Sequence, residues 1–168
     1  MLVVHSYVKL MYNLSMNIPE RAQKLKEKFK FFNTLTDDEL STFVGFCETK
    51  QINNGDILWK EGDDCHYAAF IVSGKVGIKK KTEFEGKYMI VGTFGSGTVL
   101  GELCLLMDKP RSVTAVGLEP VDSIILSNDN FELLLTENAK LGLKLLKHIF
   151  LITSERLTRS TDRIARIF

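Results

Sequence analysis

The sequence predicts an α+β domain in which helices flank a block of short β-strands. The hydrophobic periodicity changes twice: it is helical before residue 47, changes to short β-rich runs up to residue 127, and is helical again after Asn128. At 168 residues the chain can form one substantial core and is too short for two ordinary domains. We therefore predict a flexible tail over residues 1–18 and one domain over 19–168, including a helical C-terminal segment over 128–168.

Two short helices are predicted ahead of the strands. Pro19 suits the N-terminus of the first helix. The apolar residues on its predicted inner face are Ala22, Leu25, Phe29 and Phe32. The second helix begins with a capping box, because Thr36 can cap the helix and Glu39 can reach back to its backbone N–H. Its predicted inner face consists of Leu40, Phe43 and Val44.

The central block consists of short runs of β-branched and aromatic residues separated by glycine turns. Many short strands of this kind are typical of a β-barrel or a β-sandwich. The predicted strands are residues 57–59, 69–72, 76–78, 88–91, 113–116 and 121–126.

The C-terminal segment carries two apolar stripes at helical spacing. The first, which we call the seam, repeats every three or four residues, as in a coiled coil. It consists of Leu143, Leu146, Phe150, Thr153, Leu157, Ser160, Ile164 and Ile167. The second stripe consists of Leu141, Leu145, Ile149 and Ile152. We predict that one stripe packs on the strands and the other joins two chains in a homodimer; a single wide core-facing helix is the alternative.

Composition and cysteine usage restrict the class of protein. The formal net charge is +1, which argues against a protein whose whole surface binds nucleic acid. Cys47, Cys65 and Cys104 are scattered, so we predict neither a disulfide framework nor a zinc site, and a reducing cytoplasm is the simplest setting. Residues 1–14 lack the basic start and cleavage site of a signal peptide, and no run is long enough to span a membrane.

The segment from Gly101 to Arg111 carries the most specific chemistry in the chain. An arginine among apolar residues is costly unless an anion meets it, and its planar guanidinium suits two phosphate oxygens. Gly101 permits close backbone approach, and the following residues can start a helical turn whose N–H groups point at an anion. Glu102 would be repelled by phosphate, so a sugar hydroxyl is its natural partner. A solvated surface ion pair is the alternative interpretation.

These residues resemble the phosphate-binding cassette of cyclic nucleotide-binding domains, the module of catabolite activators, kinase regulatory subunits and hyperpolarisation-activated channels. The matching cassette residues are Gly101, Glu102, Arg111, Ser112 and Thr114. Residues 55–58, 61–63 and 70–76 match earlier turns of the family, and these matches outweigh the surface-pair interpretation. Val113 departs from the pattern, which usually has a small residue there. The resemblance implies a double-stranded β-helix, or β-roll, of jelly-roll type with N-terminal helices and a long C-terminal helix.

The resemblance also implies a role for each cassette residue. Arg111 is expected to bind the exocyclic phosphate oxygens, helped by the backbone N–H groups of Cys104 and Ser112 and by the Ser112 hydroxyl. Glu102 is expected to accept a hydrogen bond from the ribose 2′-hydroxyl, with Gly101 allowing the close turn. The predicted ligand-binding residues are Val91, Phe94, Gly101, Glu102, Leu103, Cys104, Arg111, Ser112, Val113, Thr153 and Ser154.

Two further contacts with the ligand are implied on either side of the cassette. Val91 and Phe94 precede it and are expected to pack on the base or the sugar. Residues 152–156 are similar to the part of the catabolite activator's dimer helix that reaches the base, so Thr153 and Ser154 are expected to read the base edge, across the dimer in one arrangement.

Together these features predict a non-catalytic cytoplasmic sensor for a cyclic mononucleotide, without a metal. Cyclic AMP is favoured over cyclic GMP. Threonine directly after the arginine tends to favour guanine in this family, and Ser112 has the hydroxyl without the methyl group, so this position does not decide between the two bases. The alternatives are the sensor part of a transcription regulator lacking its DNA-binding domain, or a regulatory subunit for a separate enzyme or channel. No helix-turn-helix is visible, so direct DNA binding is not expected, and the sequence does not identify a downstream protein.

Overall fold

The computed structural model describes residues 17–84, 86–107 and 109–166. The predicted tail lies outside these residues except for Asn17, which caps the first helix, and Ile18, which begins it. The helices are α1 (Ile18–Lys28), α2 (Asp37–Gly45), α3 (Asn128–Glu137) and α4 (Ala139–Ala165), with 3₁₀ helices at Lys30–Thr34 and Glu102–Leu105. We call Glu102–Leu105 the cassette helix.

Two four-stranded antiparallel sheets form the centre of the domain. The strands are β1 (Cys47–Ile52), β2 (Ile57–Trp59), β3 (Tyr67–Ser73), β4 (Lys75–Lys81), β5 (Tyr88–Gly95), β6 (Thr98–Leu100), β7 (Thr114–Gly117) and β8 (Val121–Ser127). One sheet has the order β1-β8-β3-β6 and the other β2-β7-β4-β5. Consecutive strands β3 and β4 therefore lie in different sheets, as expected for a jelly-roll-like β-roll. This architecture confirms the predicted fold class.

The N-terminal helices pack on the first sheet through aromatic side chains. Phe70 of β3 lies at the centre, with ring centroids 5.7 Å from Phe29, 5.7 Å from Phe32 and 5.6 Å from Phe43. All four phenylalanines are buried. The first predicted helix was too long, because α1 ends at Lys28: Phe29 is its extended C-cap and Phe32 lies in the 3₁₀ helix that follows. Because its side chains are large and apolar, burying this cluster stabilises the packing of the N-terminal segment on the first sheet.

The predicted capping box at the start of α2 is present. The Glu39 N–H donates to Thr36 Oγ1 at 3.2 Å, and the Thr36 N–H donates to Glu39 Oε2 at 3.1 Å. The same carboxylate accepts hydrogen bonds from Lys144 Nζ at 2.7 and 2.8 Å. Hydrogen bonding from Lys144 lowers the pKa of Glu39, and the contact ties α2 to the C-terminal helix.

The C-terminal segment consists of two helices rather than the continuous helical run that its periodicity predicts. Asn138 leaves the helical conformation, with φ −143° and ψ 72°, and its side chain caps α4 by accepting from the Leu141 N–H at 3.1 Å. Helical periodicity does not reveal such a break, because the apolar spacing continues through it. Among the described helices, none is both long enough and apolar enough to cross a membrane.

The two stripes of α4 have different environments. Leu141, Leu145 and Ile149 of the second stripe are each 1% exposed and pack in the core with the N-terminal helices. Within the seam, Phe150 is 71% exposed and Leu157 70% exposed. The core-facing stripe is therefore the second one, and most of the described seam residues face outward. Ile167, the last predicted seam residue, lies outside the described residues.

Candidate functional site

A cavity of about 310 Å³ lies between the cassette helix, the loop that follows it, the second sheet and α4. Pockets for small molecules begin at roughly this size. The predicted residues in its wall are Phe94, Gly101, Glu102, Leu103, Cys104, Arg111, Ser112 and Val113. The further lining residues are Trp59, Cys65, Ile78, Leu100, Met107, Lys109, Pro110 and Arg156.

Gly101 starts the cassette helix in a conformation that favours glycine. Its φ of 70° lies in the left-handed region, and a Cβ built there would overlap Arg111 Nη1. The Cys104 N–H donates to the Gly101 carbonyl at 3.1 Å. This N–H, expected to bind phosphate, therefore makes the first hydrogen bond of the short helix.

The backbone of Arg111 is held by one of the turns that match the family pattern. The Arg111 N–H donates to the Asp63 carbonyl at 2.8 Å, and the Gly62 N–H donates to the Arg111 carbonyl at 2.8 Å. Asp63 Oδ2 in turn accepts from the Lys60 N–H at 2.8 Å, which closes the turn. Segment 61–63 thus positions the arginine rather than contacting the cavity directly.

The Arg111 side chain is buried, with 4% of its surface exposed. Its guanidinium carbon lies 3.9 Å from the centre of the Trp59 ring and 4.8 Å from that of Tyr67, and Nη2 donates to the Tyr67 carbonyl at 2.7 Å. The structure gives no hydrogen-bond partner for Nε and no carboxylate within 4.0 Å among the described residues. Burial lowers the pKa of Arg111, while Tyr67 and Asp63 act in the opposite direction. A buried cation in this situation favours binding of an anion.

Cys104 and Cys65 form a disulfide, with Cα atoms 5.1 Å apart, which corrects the expectation that the cysteines are unpaired. The two residues are 39 positions apart, and only the fold brings the loop before β3 to the cassette helix. Arg111 Nη1 donates to Cys104 Sγ at 2.8 Å. The disulfide is therefore part of the wall that surrounds the guanidinium.

Glu102 is 7% exposed and is paired with Arg156 of α4. Arg156 Nη1 lies 3.0 Å from Glu102 Oε1, and Nη2 donates to the Val99 carbonyl. The Arg156 guanidinium also lies 5.3 Å from the Phe94 ring centre. The C-terminal helix thus reaches the cavity through an arginine that is absent from the site residues predicted by sequence.

A signal for Arg156 was present in the sequence. It lies within segment 152–156, which resembles the ligand-proximal part of a family helix, and it follows Thr153 by three residues, so the two share a helix face. A carboxylate inside an apolar segment also calls for a cationic or hydrogen-bonding partner. Residue type alone did not separate Arg156 from the other basic residues of the same helix.

The remaining predicted residues lie outside the cavity wall. Val91 is 46% exposed on β5, and Ser154 is exposed on α4. The Thr153 hydroxyl donates to the Ile149 carbonyl at 2.6 Å, within its own helix. The contacts of these three residues with a base therefore stay predictions.

A polar network holds the chain after Arg111 against the second sheet. Lys80 Nζ donates to the Ser112 carbonyl and to Glu61 Oε1, each at 2.6 Å, and the Glu61 N–H donates to Thr114 Oγ1 at 2.9 Å. Hydrogen bonding from Lys80 lowers the pKa of Glu61. Ser112 is thereby fixed at the cavity edge, although its own side chain is exposed.

The profile of the cyclic nucleotide-binding domain matches residues 49–138, a stretch that contains the turn, the cassette helix and Arg111. The chain belongs to the cyclic nucleotide-binding domain family. This confirms the resemblance drawn from the cassette and its upstream turns.

Individual relatives agree with this assignment. The cAMP-dependent protein kinase regulatory subunit of Eremothecium gossypii is 32% identical over 85 residues, which are 51% of this chain and 17% of that protein. The chain thus spans less than a fifth of the length of this curated relative.

Solved structures show the same fold. A cyclic nucleotide-binding domain from Methylobacillus flagellatus KT gives a TM-score of 0.79 at 24% identity, covering 88% of this chain and 85% of that one. The regulatory domain of Toxoplasma gondii PKA, solved with cAMP, gives a TM-score of 0.58 at 27% identity, covering 67% of this chain and 43% of that one.

Replacing Gly101 by alanine should displace Arg111. Gly55→Ala is the matched control, because Gly55 also has a positive φ, 86°, but a Cβ placed on it would meet no other heavy atom within 4 Å. We expect Gly55→Ala to lower the free energy of unfolding by about 1 kcal/mol, and Gly101→Ala by about 1–3 kcal/mol more because of the overlap with the guanidinium. Urea denaturation measures both. Equal losses would show that the Gly101–Arg111 contact does not restrict this position.

Proposed function

We propose that this chain is a non-catalytic sensor for a cyclic mononucleotide, with cyclic AMP favoured over cyclic GMP, and that it signals through α4. The observation that supports this most directly is the buried Arg111 guanidinium at the cavity wall, with no carboxylate partner among the described residues. A phosphate would supply the missing negative charge and accept from the guanidinium.

The second group in the proposed mechanism is Glu102. Its Oε1 is engaged by Arg156 at 3.0 Å, and a carboxylate has further acceptor positions on its other oxygen. A ribose 2′-hydroxyl donating to Oε2 would share the carboxylate with α4. Any shift of Glu102 on binding would then act on Arg156, so the ligand and the C-terminal helix are coupled through one side chain.

The relatives support the proposed ligand and the kind of protein that the domain regulates. The curated relative is named as a cAMP-dependent kinase subunit, and one structural neighbour was solved with cAMP. These names favour cyclic AMP and a regulatory subunit for a separate enzyme. The sensor part of a transcription regulator stays the second candidate, because structural neighbours include the sensor domain of the transcriptional regulator DNR from Pseudomonas aeruginosa.

We also propose that the exposed seam of α4 joins two chains in a homodimer. Phe150, Leu157 and Ile164 are 71%, 70% and 58% exposed and recur on one side of a helix whose other stripe is already buried. A second copy of the same helix would cover these apolar groups by coiled-coil packing.

Arg111→Ala should weaken cyclic AMP binding by about 2–3 kcal/mol, roughly thirty- to a hundredfold, because a charge-assisted bidentate contact is lost from a buried site. Arg111→Lys should restore little, since an ammonium does not reproduce the planar fork. Isothermal titration measures the affinities. Arg159→Ala is the matched control, because it removes the same charge from an exposed position on α4. Unchanged affinity in both Arg111 variants would reject the phosphate assignment.

Glu102→Gln should weaken the hydrogen bond from the ribose 2′-hydroxyl and leave the phosphate contact unchanged. An amide oxygen is a weaker acceptor than a carboxylate, and the substitution leaves Arg111 intact. The measurement is a cycle of four affinities: wild type and variant, each with cyclic AMP and 2′-deoxy cyclic AMP. The deoxy ligand should bind wild type poorly and lose little more in the variant. If removing the hydroxyl costs both proteins the same large amount, Glu102 is not its partner.

Replacing Leu157 and Ile164 together by glutamate should give monomers, because like charges would enter an apolar seam where they cannot be solvated. Sedimentation and a cyclic AMP titration report assembly and affinity separately. The control is Leu133→Glu with Leu118→Glu, two exposed apolar residues outside α4. A monomeric wild type would reject the seam, whereas a monomeric variant with full affinity would keep the dimer and reject base contacts across it.

A further inference from the structure

The Cys65–Cys104 disulfide crosses the wall of the ligand cavity. Both cysteines line the cavity, and the bond joins the loop before β3 to the cassette helix. Cys104 is buried, with 4% of its surface exposed, whereas Cys65 is only half-buried. Cys65 is therefore the more accessible end of the bond for a small thiol.

Arg111 makes Cys104 the better leaving group. Its Nη1 lies 2.8 Å from Cys104 Sγ, and a neighbouring cation stabilises a thiolate. Thiol–disulfide exchange is faster when the departing sulfur is stabilised in this way. The accessible sulfur and the stabilised leaving sulfur are thus the two ends of the same bond.

We propose that Cys65 and Cys104 form a reversible redox pair whose oxidation state sets the affinity of the Arg111 site for its anionic ligand. This inference rests on the proposed function. The co-reactant is a small-molecule thiol and its disulfide, for example glutathione. A glutathione thiolate attacks Cys65 Sγ, the Cys65–Cys104 bond breaks, and Cys104 leaves as the thiolate. A second glutathione thiolate then attacks the glutathione sulfur of the mixed disulfide and expels Cys65, which takes a proton from water. The products are the Cys65 thiol, the Cys104 thiolate and one oxidised glutathione.

The coupling to the ligand follows from competition for one guanidinium. In the oxidised form Cys104 Sγ is neutral, so the charge of Arg111 is available to a phosphate. In the reduced form a Cys104 thiolate would neutralise Arg111 and repel the phosphate. The oxidised form should therefore bind more tightly, and by linkage the bound ligand should disfavour reduction by the same factor.

Cys47 provides an internal reference for this chemistry. It is 3% exposed, its thiol donates to the Phe43 carbonyl at 3.3 Å, and burial raises its pKa. It lies outside the cavity wall, so its alkylation should report global unfolding rather than the state of the pair.

The test uses the 168-residue chain equilibrated in glutathione buffers from oxidising to reducing, followed by alkylation and mass spectrometry. We expect Cys65 and Cys104 to titrate together while Cys47 stays protected. Saturating cyclic AMP should shift the ratio of reduced to oxidised chain by about fivefold or more towards the disulfide. Isothermal titration should give a cyclic AMP affinity higher by the same factor in the oxidised form.

Two variants separate the redox pair from a general effect of cysteine loss. Cys65→Ser leaves Cys104 beside Arg111 without a protein thiol to pair with. Its cyclic AMP affinity should match that of the reduced wild type in every buffer in which mass spectrometry finds no glutathione on Cys104. Cys47→Ala keeps the pair and should retain the full redox dependence. The folded state of each variant is followed by circular dichroism.

Several results would overturn the inference. A pair that stays oxidised in every reducing buffer is structural, and a pair that stays reduced in every oxidising buffer does not form. Equal cyclic AMP affinity in the two redox states rejects the coupling. If neither state binds cyclic AMP, the proposed function fails and the coupling fails with it, while the glutathione titration without nucleotide still decides whether the cysteines are a redox pair.

Discussion

The burial of one positive charge, that of Arg111, is the constraint on which the site depends. Burying the guanidinium costs free energy of solvation. Its contacts in the structure include aromatic rings and the Tyr67 carbonyl, and no carboxylate of the described residues lies within 4.0 Å of it. Such an arrangement is costly unless an anion completes it. Gly101 leaves room for the guanidinium, and the Gly62–Asp63 turn fixes its backbone, so distant segments of the chain serve this one side chain.

The C-terminal helix is attached to the rest of the domain in two different ways. Its first half is packed through Leu141, Leu145 and Ile149 and is tied to α2 by Lys144. Beyond Ile149, most residues are exposed, and the contact with the site is made by Arg156. A perturbation at the cavity would therefore act on the second half of α4 while the first half stays anchored. This division places the proposed output next to the exposed seam.

Local features of the fold could be predicted from the sequence because neighbouring residues decide them. The capping box of Thr36 and Glu39, the buried face of α2, and several strands depend on short-range spacing. Strand β1 was not among the predicted strands, because its central residues Glu48–Gln51 are polar and lack regular alternation. The break at Asn138 was also missed, since a capping side chain does not interrupt the apolar period.

The site combines residues of one short motif with partners from distant segments of the chain. Arg111, Glu102 and Gly101 were predicted because they follow one another in a short motif, and the structure gathers them around one cavity. Glu102 pairs with Arg156, and Cys65 with Cys104, from distant segments of the chain. Helical spacing from Thr153 marked Arg156 as a candidate, but spacing along the chain did not indicate either pairing. A buried charge predicts that a partner exists, but only the fold determines which one. For Glu102 the partner predicted from the sequence is a ligand hydroxyl, and the partner observed in the structure is Arg156. A carboxylate has two oxygens and can accept from both. In the proposed mechanism, that double use would couple ligand binding to α4.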